Sequence, residues 1–223
     1  MTTTPADPIK PSEPRGRPRI HQDDEILVAA LQAFAAQGFD AMSLRSLNSE
    51  LGLSHGTISQ RFGTKKLLYF AAVDLGFTSL LADIGERRQA AMDAIDSPDD
   101  LDDMRATIRA FLGAAQLRPQ LGRLMNQEGI QSTERLQYIE EHVLEPMIAS
   151  LSALLGRLHQ SGRIRPITAR MLFFLVAHGA DAPFTLSALS GMFDGVDGPL
   201  DPRQHADDVT DLLMRGMTLG TGA

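Results

Sequence analysis

Apolar residues recur along this chain at intervals of three and four, the spacing of one helical face, and nowhere alternate as a half-buried strand requires. Asp23, Asp24 and Glu25 favour a helix N-terminus through the macrodipole. Ile26, Ala30, Leu31 and Phe34 then form a stripe that Gly38 ends. Ser43 is the expected N-cap of a second, short helix with Leu44, Leu47 and Leu51 on one face, closed by Gly52. Ser54 is expected to cap a third, in which Ile58 and Phe62 lie four apart. Thr64 is expected to cap a long fourth helix running through Leu67, Leu68, Phe70 and Ala71.

The remainder reads the same way. Helices are expected around 101–116, then to about Gln127, then from roughly 133 to 160. Pro146 must kink or divide that last one, because it lacks the N–H for an i−4 bond. Thr168 opens an apolar helix to about Ser190, Gly191 to Pro202 reads as a loop, and a last amphipathic helix carries Val209, Leu212, Leu213 and Met217. The predicted class is all-α with about nine helices.

Composition narrows the chemistry. With no Cys among 223 residues there are no disulfides, thiolate nucleophiles or sulfur-ligated zinc sites. The longest apolar run, Met171 to Ala177, is far shorter than the roughly 18–20 residues that span a bilayer, so no membrane partner and a cytoplasmic location are expected. The net charge of −7 is unevenly spread: residues 1–75 balance eight Lys/Arg against eight Asp/Glu, so the excess acid belongs to the rest. Basic clusters stand out within that first third, with Lys10, Arg15, Arg17 and Arg19 in one, and Arg45, Arg61, Lys65 and Lys66 in another. Electrostatic footprints are patches and not averages, so an acidic chain with these clusters remains compatible with a polyanion partner.

Two short helices joined by a Gly-containing turn are the signature of a helix-turn-helix, whose second helix enters the DNA major groove. Its inward positions would be Leu44, Leu47, Leu51, Leu53, Ile58 and Phe62. Ser54, His55, Gly56, Thr57, Ser59, Gln60 and Arg61 then remain for DNA. Gln pairs bidentately with adenine and Arg with guanine, and Gly56 is expected to let the backbone approach a sugar-phosphate strand. An αα-hairpin in a small bundle also has a Gly turn, but explains neither Gly56 nor the local positive charge.

The run from Ile26 to Asp40, with Ser43-Leu44-Arg45, Leu51-Gly52-Leu53-Ser54-His55-Gly56-Thr57-Ile58, Phe62, Lys65 and Leu67-Leu68, resembles the tetracycline-repressor (TetR) family of bacterial transcription regulators over about residues 22–72. The resemblance implies that His55, Gly56 and Thr57 meet DNA, that Lys65 sits near a phosphate, and that Arg45 faces the backbone or braces the domain. His55 stands where the family often has Lys, Ser59, Gln60 and Arg61 where it usually has aromatic residues and His, and Lys66 where an acid is common. These departures imply a different operator, with Arg61 and Lys66 supplying charge. Arg15-Gly16-Arg17-Pro18-Arg19 resembles the AT-hook core, suited to a narrow A·T minor groove beside the helix-turn-helix.

The organisation expected is therefore a basic Pro-rich arm over 1–20, a DNA-binding domain over 21–70, and a helical ligand-binding and dimerisation domain over 71–223. The resemblance places a dimer seam on the last two long helices, where Met171, Phe174, Leu175, His178, Val209, Leu212 and Leu213 are candidates. Candidates for a pocket holding a small apolar or amphipathic ligand are Phe77, Met104, Ile108, Phe111 and Met125, with Tyr138, Met147, Phe173 and Phe184. Ten Met residues suit an adaptable cavity. His178 with Asp181, and His142 with Glu141 or Glu145, lack a third metal ligand. No phosphate loop, dinucleotide fingerprint, zinc-protease motif or nucleophile elbow occurs, so neither catalytic residue, metal nor cofactor is expected.

The expected function is a homodimeric regulator of transcription, chiefly a repressor that leaves a two-half-site double-stranded DNA operator when ligand shifts the fourth helix. A ligand-independent regulator using the arm, and a helical scaffold that does not touch DNA, are the alternatives.

Overall fold

The computed structural model describes residues 23–219. Helix α1 spans Asp23–Gln37, α2 Leu44–Glu50, α3 Thr57–Phe62 and α4 Lys65–Asp93. They are followed by α5 (Asp100–Ala115), α6 (Pro119–Glu128), α7 (Glu134–Ile139), α8 (Glu145–Gln160), α9 (Ala169–Phe174), α10 (Ala182–Thr185), α11 (Ser187–Ser190), α12 (Asp194–Asp197) and α13 (Pro202–Met217). Joined where they continue through a π- or 3₁₀-helical turn or through Asp181, and parted at the bend at Leu186, these make ten helices among the described residues, against about nine expected. The all-α class holds; the one β pairing described is an isolated bridge between Ile164 and Thr218.

Local chemistry sets most boundaries. Ser43 and Thr64 cap α2 and α4, their hydroxyls accepting the amides of Ser46 and Leu67. Asp99 and Asp102 form a reciprocal capping box at the start of α5, which accounts for the acidic cluster there.

Ser54 does not cap α3, contrary to expectation. Its carbonyl accepts the Thr57 amide at 3.1 Å and its hydroxyl bonds that of Thr57 at 2.7 Å, within a turn. The helix begins at Thr57 because Gly56 has φ +86°, a left-handed backbone that no right-handed helix runs through. Gly56 thus serves the turn.

The 133–160 helix, expected to kink or divide at Pro146, runs on without a gap from Glu134, and a π-helical turn over Glu140–Leu144, just before Pro146, accommodates the proline. A second π turn, Leu175–Ala180, precedes Pro183. In both places the ladder widens just where proline removes an N–H and its ring excludes the i−4 carbonyl. The apolar helix expected to run to Ser190 breaks further on, at Leu186, whose backbone is non-helical (φ −108°, ψ 46°), and the segment after it turns away by 74°. Residues 191–197, expected as loop, form short helical turns.

Two cores result. One joins α1 to α4 with α6 and α7, through Ile26, Phe34, Leu47, Ile58, Tyr69 and Leu124; the other joins α5, α8, α9 and α13 through Met104, Leu112, Leu158 and Met214. α4 runs beside both and is tied to α5 by a bidentate Arg88–Asp103 pair at 2.5 and 2.7 Å. By length and composition α4 is apolar enough to cross a membrane, yet Leu68, Ala72, Val73, Phe77 and Leu80 are buried inside the protein.

Candidate nucleic-acid interface and the cavity behind it

α2 and α3 are seven and six residues long, below the length at which isolated helices persist, so their mutual angle depends on tertiary contacts. Asn48 supplies one that sequence reasoning missed. It is 6% exposed; its Nδ2 donates to the Leu44 carbonyl at 2.8 Å, and its Oδ1 accepts the Ile58 amide at 3.3 Å. That amide is among the N-terminal donors of α3 with no partner inside the helix. Asn48 therefore caps α3 from across the turn. The sequence signal was a lone amide beside Leu44, Leu47 and Leu51 on the buried face.

Ile58 and Phe62 point α3 into the core. At about 100° per residue, Gln60 then lies nearly opposite them, with Thr57 beside it and Ser59 and Arg61 on the flanks. His55, Ser59, Gln60 and Arg61 are exposed, as are Ser54 and, on α2, Arg45, while Gly56 and Thr57 are half-buried.

The expected cations are not gathered on this face. Arg61 reaches back to Asp23 at the start of α1 at 3.2 Å. Lys65 donates to the Asp40 carbonyl at 3.1 Å and lies over the Phe39 ring, while Lys66 pairs with Glu134 of α7 at 3.1 Å. All three pairs are exposed and thus individually weak, so each amounts to a choice between an internal partner and an external anion. Arg15, Arg17 and Arg19 lie outside the described residues.

Behind the helix-turn-helix, α4, α5, α8, α9 and the two π turns enclose a largely apolar cleft of about 520 Å³. It adjoins an inner chamber of about 50 Å³, with which it shares Phe111, Met147 and Phe173. Of the pocket candidates, Phe77, Phe111, Met125, Met147 and Phe173 line the inner chamber and Ile108 the outer cleft. The other three do not line it. Met104 is fully buried in the second core. Tyr138 stacks between Phe70 and His142 and donates to Asp74 at 2.7 Å; burial and that acceptor hold its phenol up at about 12. Phe184 packs against His205. Each is consumed by a closer partner.

His178, a seam candidate, faces the inner chamber instead, its Nδ1 bonded to Asn126 Oδ1 at 2.7 Å; burial holds its pKa down. Asp181 lies beside it on the same wall. Helix α6 comes close here because Gly122 has no side chain: a Cβ would collide with Thr185 Cγ2 and lie 2.8 Å from Asp181 Oδ2. The remaining seam candidates form an outer face. Met171, Phe174, Leu175 and Leu212 are 55, 56, 41 and 71% exposed, with Val209 and Leu213 half-buried beneath. No group of three or more His, Asp or Glu with metal-site geometry occurs among the described residues.

Comparison with known proteins agrees with this geometry. A family model described as "Bacterial regulatory proteins, tetR family" matches residues 26–72, which span α1 through the start of α4. No curated protein matches the chain. Among solved structures, the ketosteroid transcriptional regulator KstR2 of Mycobacterium tuberculosis superposes with a TM-score of 0.64 at 18% identity, covering 90% of this chain and 96% of that one. A tetR-family regulatory protein from Rhodococcus RHA1 gives 0.63 at 20%, covering 90% and 99%. The tetR-family regulator PfmR from Thermus thermophilus gives 0.60 at 22%, covering 91% and 99%. A tetR-family model thus matches the helix-turn-helix over residues 26–72, and these solved structures share the fold over about nine-tenths of the chain.

Proposed function

We propose that the protein is a homodimeric repressor, working in the cytoplasm, whose hold on a two-half-site operator is released by a small apolar or amphipathic ligand in the cleft behind the helix-turn-helix. The observation that carries this reading is α4 itself. Its first turn follows α3 directly, and twelve residues later the same helix contributes Phe77, Leu80 and Leu81 to the cavity wall. α4 is also wedged between α1 and α6: a Cβ on Gly76 would meet Leu31 at 2.7 Å and Leu121 at 2.9 Å, and Leu121 lines the inner chamber. Gln127 of α6 donates to the Ala35 carbonyl of α1 at 2.9 Å. A ligand that displaces α4 or α6 thus has a packed path to the reading helix. Packed cores shift between discrete arrangements and do not deform smoothly.

In this reading residues 1–20 are a basic arm, 21–70 the DNA-binding unit and 71–223 the ligand and dimer unit. His55, Thr57, Ser59 and Gln60 present their side chains and Gly56 its backbone to DNA, with Ser54 and Arg45 beside them. Arg61, Lys65 and Lys66 exchange their internal partners for phosphate. Arg15, Arg17 and Arg19 enter an adjacent minor groove. Met171, Phe174, Leu175, Val209, Leu212 and Leu213 meet their counterparts in a second copy, since a two-fold dimer matches two half-sites.

The test is fluorescence anisotropy of the full-length protein on the DNA upstream of its own gene against scrambled DNA, across a salt series. Selective binding, exceeding the scrambled control by at least about 10³-fold and weakening steeply with salt, is the expected result. Equal affinity for both at every salt concentration refutes operator recognition.

A further inference from the structure

Asp181 is 3% exposed, lines the inner chamber, and its Oδ1 finds no hydrogen-bond partner among the described residues. A buried acceptor left unsatisfied is costly, and native proteins keep few of them. No neighbouring group relieves it. Arg118 lines the same chamber, but its guanidinium binds Asp83 at 2.8 Å, the Ala114 carbonyl at 3.1 Å and Ser79 at 3.2 Å. His178 is engaged with Asn126, and burial disfavours its protonated form. On the α13 side His205 bonds the Ala180 carbonyl at 2.8 Å, and Thr185 bonds the Ala182 carbonyl at 3.2 Å. With no cation at hand, burial alone pushes the Asp181 carboxyl up to about 7.

The rest of the chamber wall supplies what a cation prefers besides a carboxylate. Phe77, Phe111 and Phe173 line it, and aromatic faces attract ammonium groups. Size adds a limit. At about 50 Å³ the chamber holds roughly three to five water-sized positions, enough for a headgroup of a few heavy atoms. The adjoining 520 Å³ cleft, walled by Ile84, Ile108, Leu151 and Leu154, has the volume and apolarity of a small-molecule site.

We propose that the cavity selects amphipathic amines: a primary ammonium enters the inner chamber and donates to Asp181, while its hydrocarbon body lies in the outer cleft. This rests on the reading of the cavity as the ligand site and names the chemistry that site takes. The ammonium supplies the donor that Oδ1 lacks and a charge that favours the ionised carboxylate. Binding an ammonium below pH 7 therefore drives a proton from Asp181 to solvent.

The experiment is isothermal titration of the full-length protein with decylammonium, decanol and decanoate, each below its micelle concentration, in two pH 6 buffers of different ionisation enthalpy. Decylammonium is expected to bind at least tenfold tighter than decanol and to release close to one proton, with decanoate weakest. Asp181→Asn, an isosteric change whose fold is checked by circular dichroism, is expected to abolish both the preference and the proton release. Preference for decanol or decanoate, binding of none of the three, or an ammonium preference that survives Asp181→Asn each overturns the proposal. A parallel anisotropy measurement on operator DNA separates the two readings. Asp181-dependent binding of decylammonium that leaves the DNA complex intact keeps the amine site and removes the release mechanism. Release by decanol as strong as by decylammonium does the reverse.

Discussion

Asn48 offers the sharpest test of how the reading helix is held. Asn48→Ala strips the Ile58 amide of its acceptor, and Ile58 is fully buried, so water reaches that amide only through the small void the substitution leaves. An unsatisfied buried donor costs about 1–3 kcal/mol, and the 3.3 Å length of the lost bond argues for the lower half of that range. The second lost bond, to the Leu44 carbonyl at 2.8 Å, adds about 0.5–1.5 kcal/mol. The expected destabilisation is about 1.5–3.5 kcal/mol, or a fall in Tm of about 3–14 °C for a chain of this size. DNA binding must suffer as well, because two helices of seven and six residues lose the contact that fixes their angle. Specific affinity is expected to drop at least ~10-fold, equivalent to about 1.4 kcal/mol, while weak salt-sensitive binding to scrambled DNA persists. Asn48→Asp retains an acceptor for Ile58 at a helix N-terminus, where negative charge is favoured, and should recover specific binding relative to the Ala variant. Urea unfolding and anisotropy together decide. If Asn48→Ala lies within ~0.5 kcal/mol of the parent and binds operator equally well, the cross-turn cap is not what orients α3.

Four further outcomes are expected. Gly56→Ala meets no atom within 4 Å of its new Cβ, so its cost is backbone strain alone, about 1–2 kcal/mol by urea unfolding; a neutral result refutes the left-handed turn. Gln60→Ala should lose about 1–3 kcal/mol of discrimination at one base pair in a binding-site selection and leave the salt slope unchanged, whereas an altered slope marks a phosphate contact. Folded Asp181 holds its proton up to about pH 7 while the unfolded chain releases it near 3.8, so stability falls as pH rises between those values, by at most about 4 kcal/mol, and levels off above. Asp181→Asn should flatten that slope and be the more stable form at pH 8 in urea titrations; parallel pH profiles refute this. Leu212→Glu puts charge on a residue already 71% exposed, so monomer stability should hold while the sedimentation mass halves and operator affinity falls; an unchanged dimer moves the seam elsewhere.

In the proposed reading the protein couples two short-range problems: the DNA end needs a rigid reading helix, and the ligand end needs a wall that yields. The π turns at Glu140–Leu144 and Leu175–Ala180 stand on the yielding side, both contributing to the chamber wall, at points where proline has already weakened the helix ladder. Gly76 and Gly122 make the opposite contribution, allowing α4 and α6 to pack against their neighbours with no slack.

Much of this was legible along the chain, because helix periodicity, capping and breaking are local. The stripe of α1, the caps Ser43 and Thr64 and the irregular turn ahead of Pro146 all follow from residues within four or five positions of one another. So does the order of short helices that marks the DNA-binding end. What local patterns did not carry is which of several apolar or charged groups meets which distant one. Phe77, Phe111 and Phe173 look no different in sequence from Met104 or Phe184, yet only the first three face open space, because the positions of α4, α5 and α9 relative to each other decide it. Arg61, Lys65 and Lys66 read as cations turned to DNA until Asp23, Asp40 and Glu134 arrive from other elements. Asn48 looked like one more residue of a short helix, and Asp181 like half of an incomplete metal pair. The sequence by itself determined the helices and the DNA-binding motif, since those depend on neighbours in the chain. The tertiary structure alone decided the cap across the turn, the reach of each cation and the solitary carboxylate in the cavity, since burial and partnership belong to groups that only folding brings together.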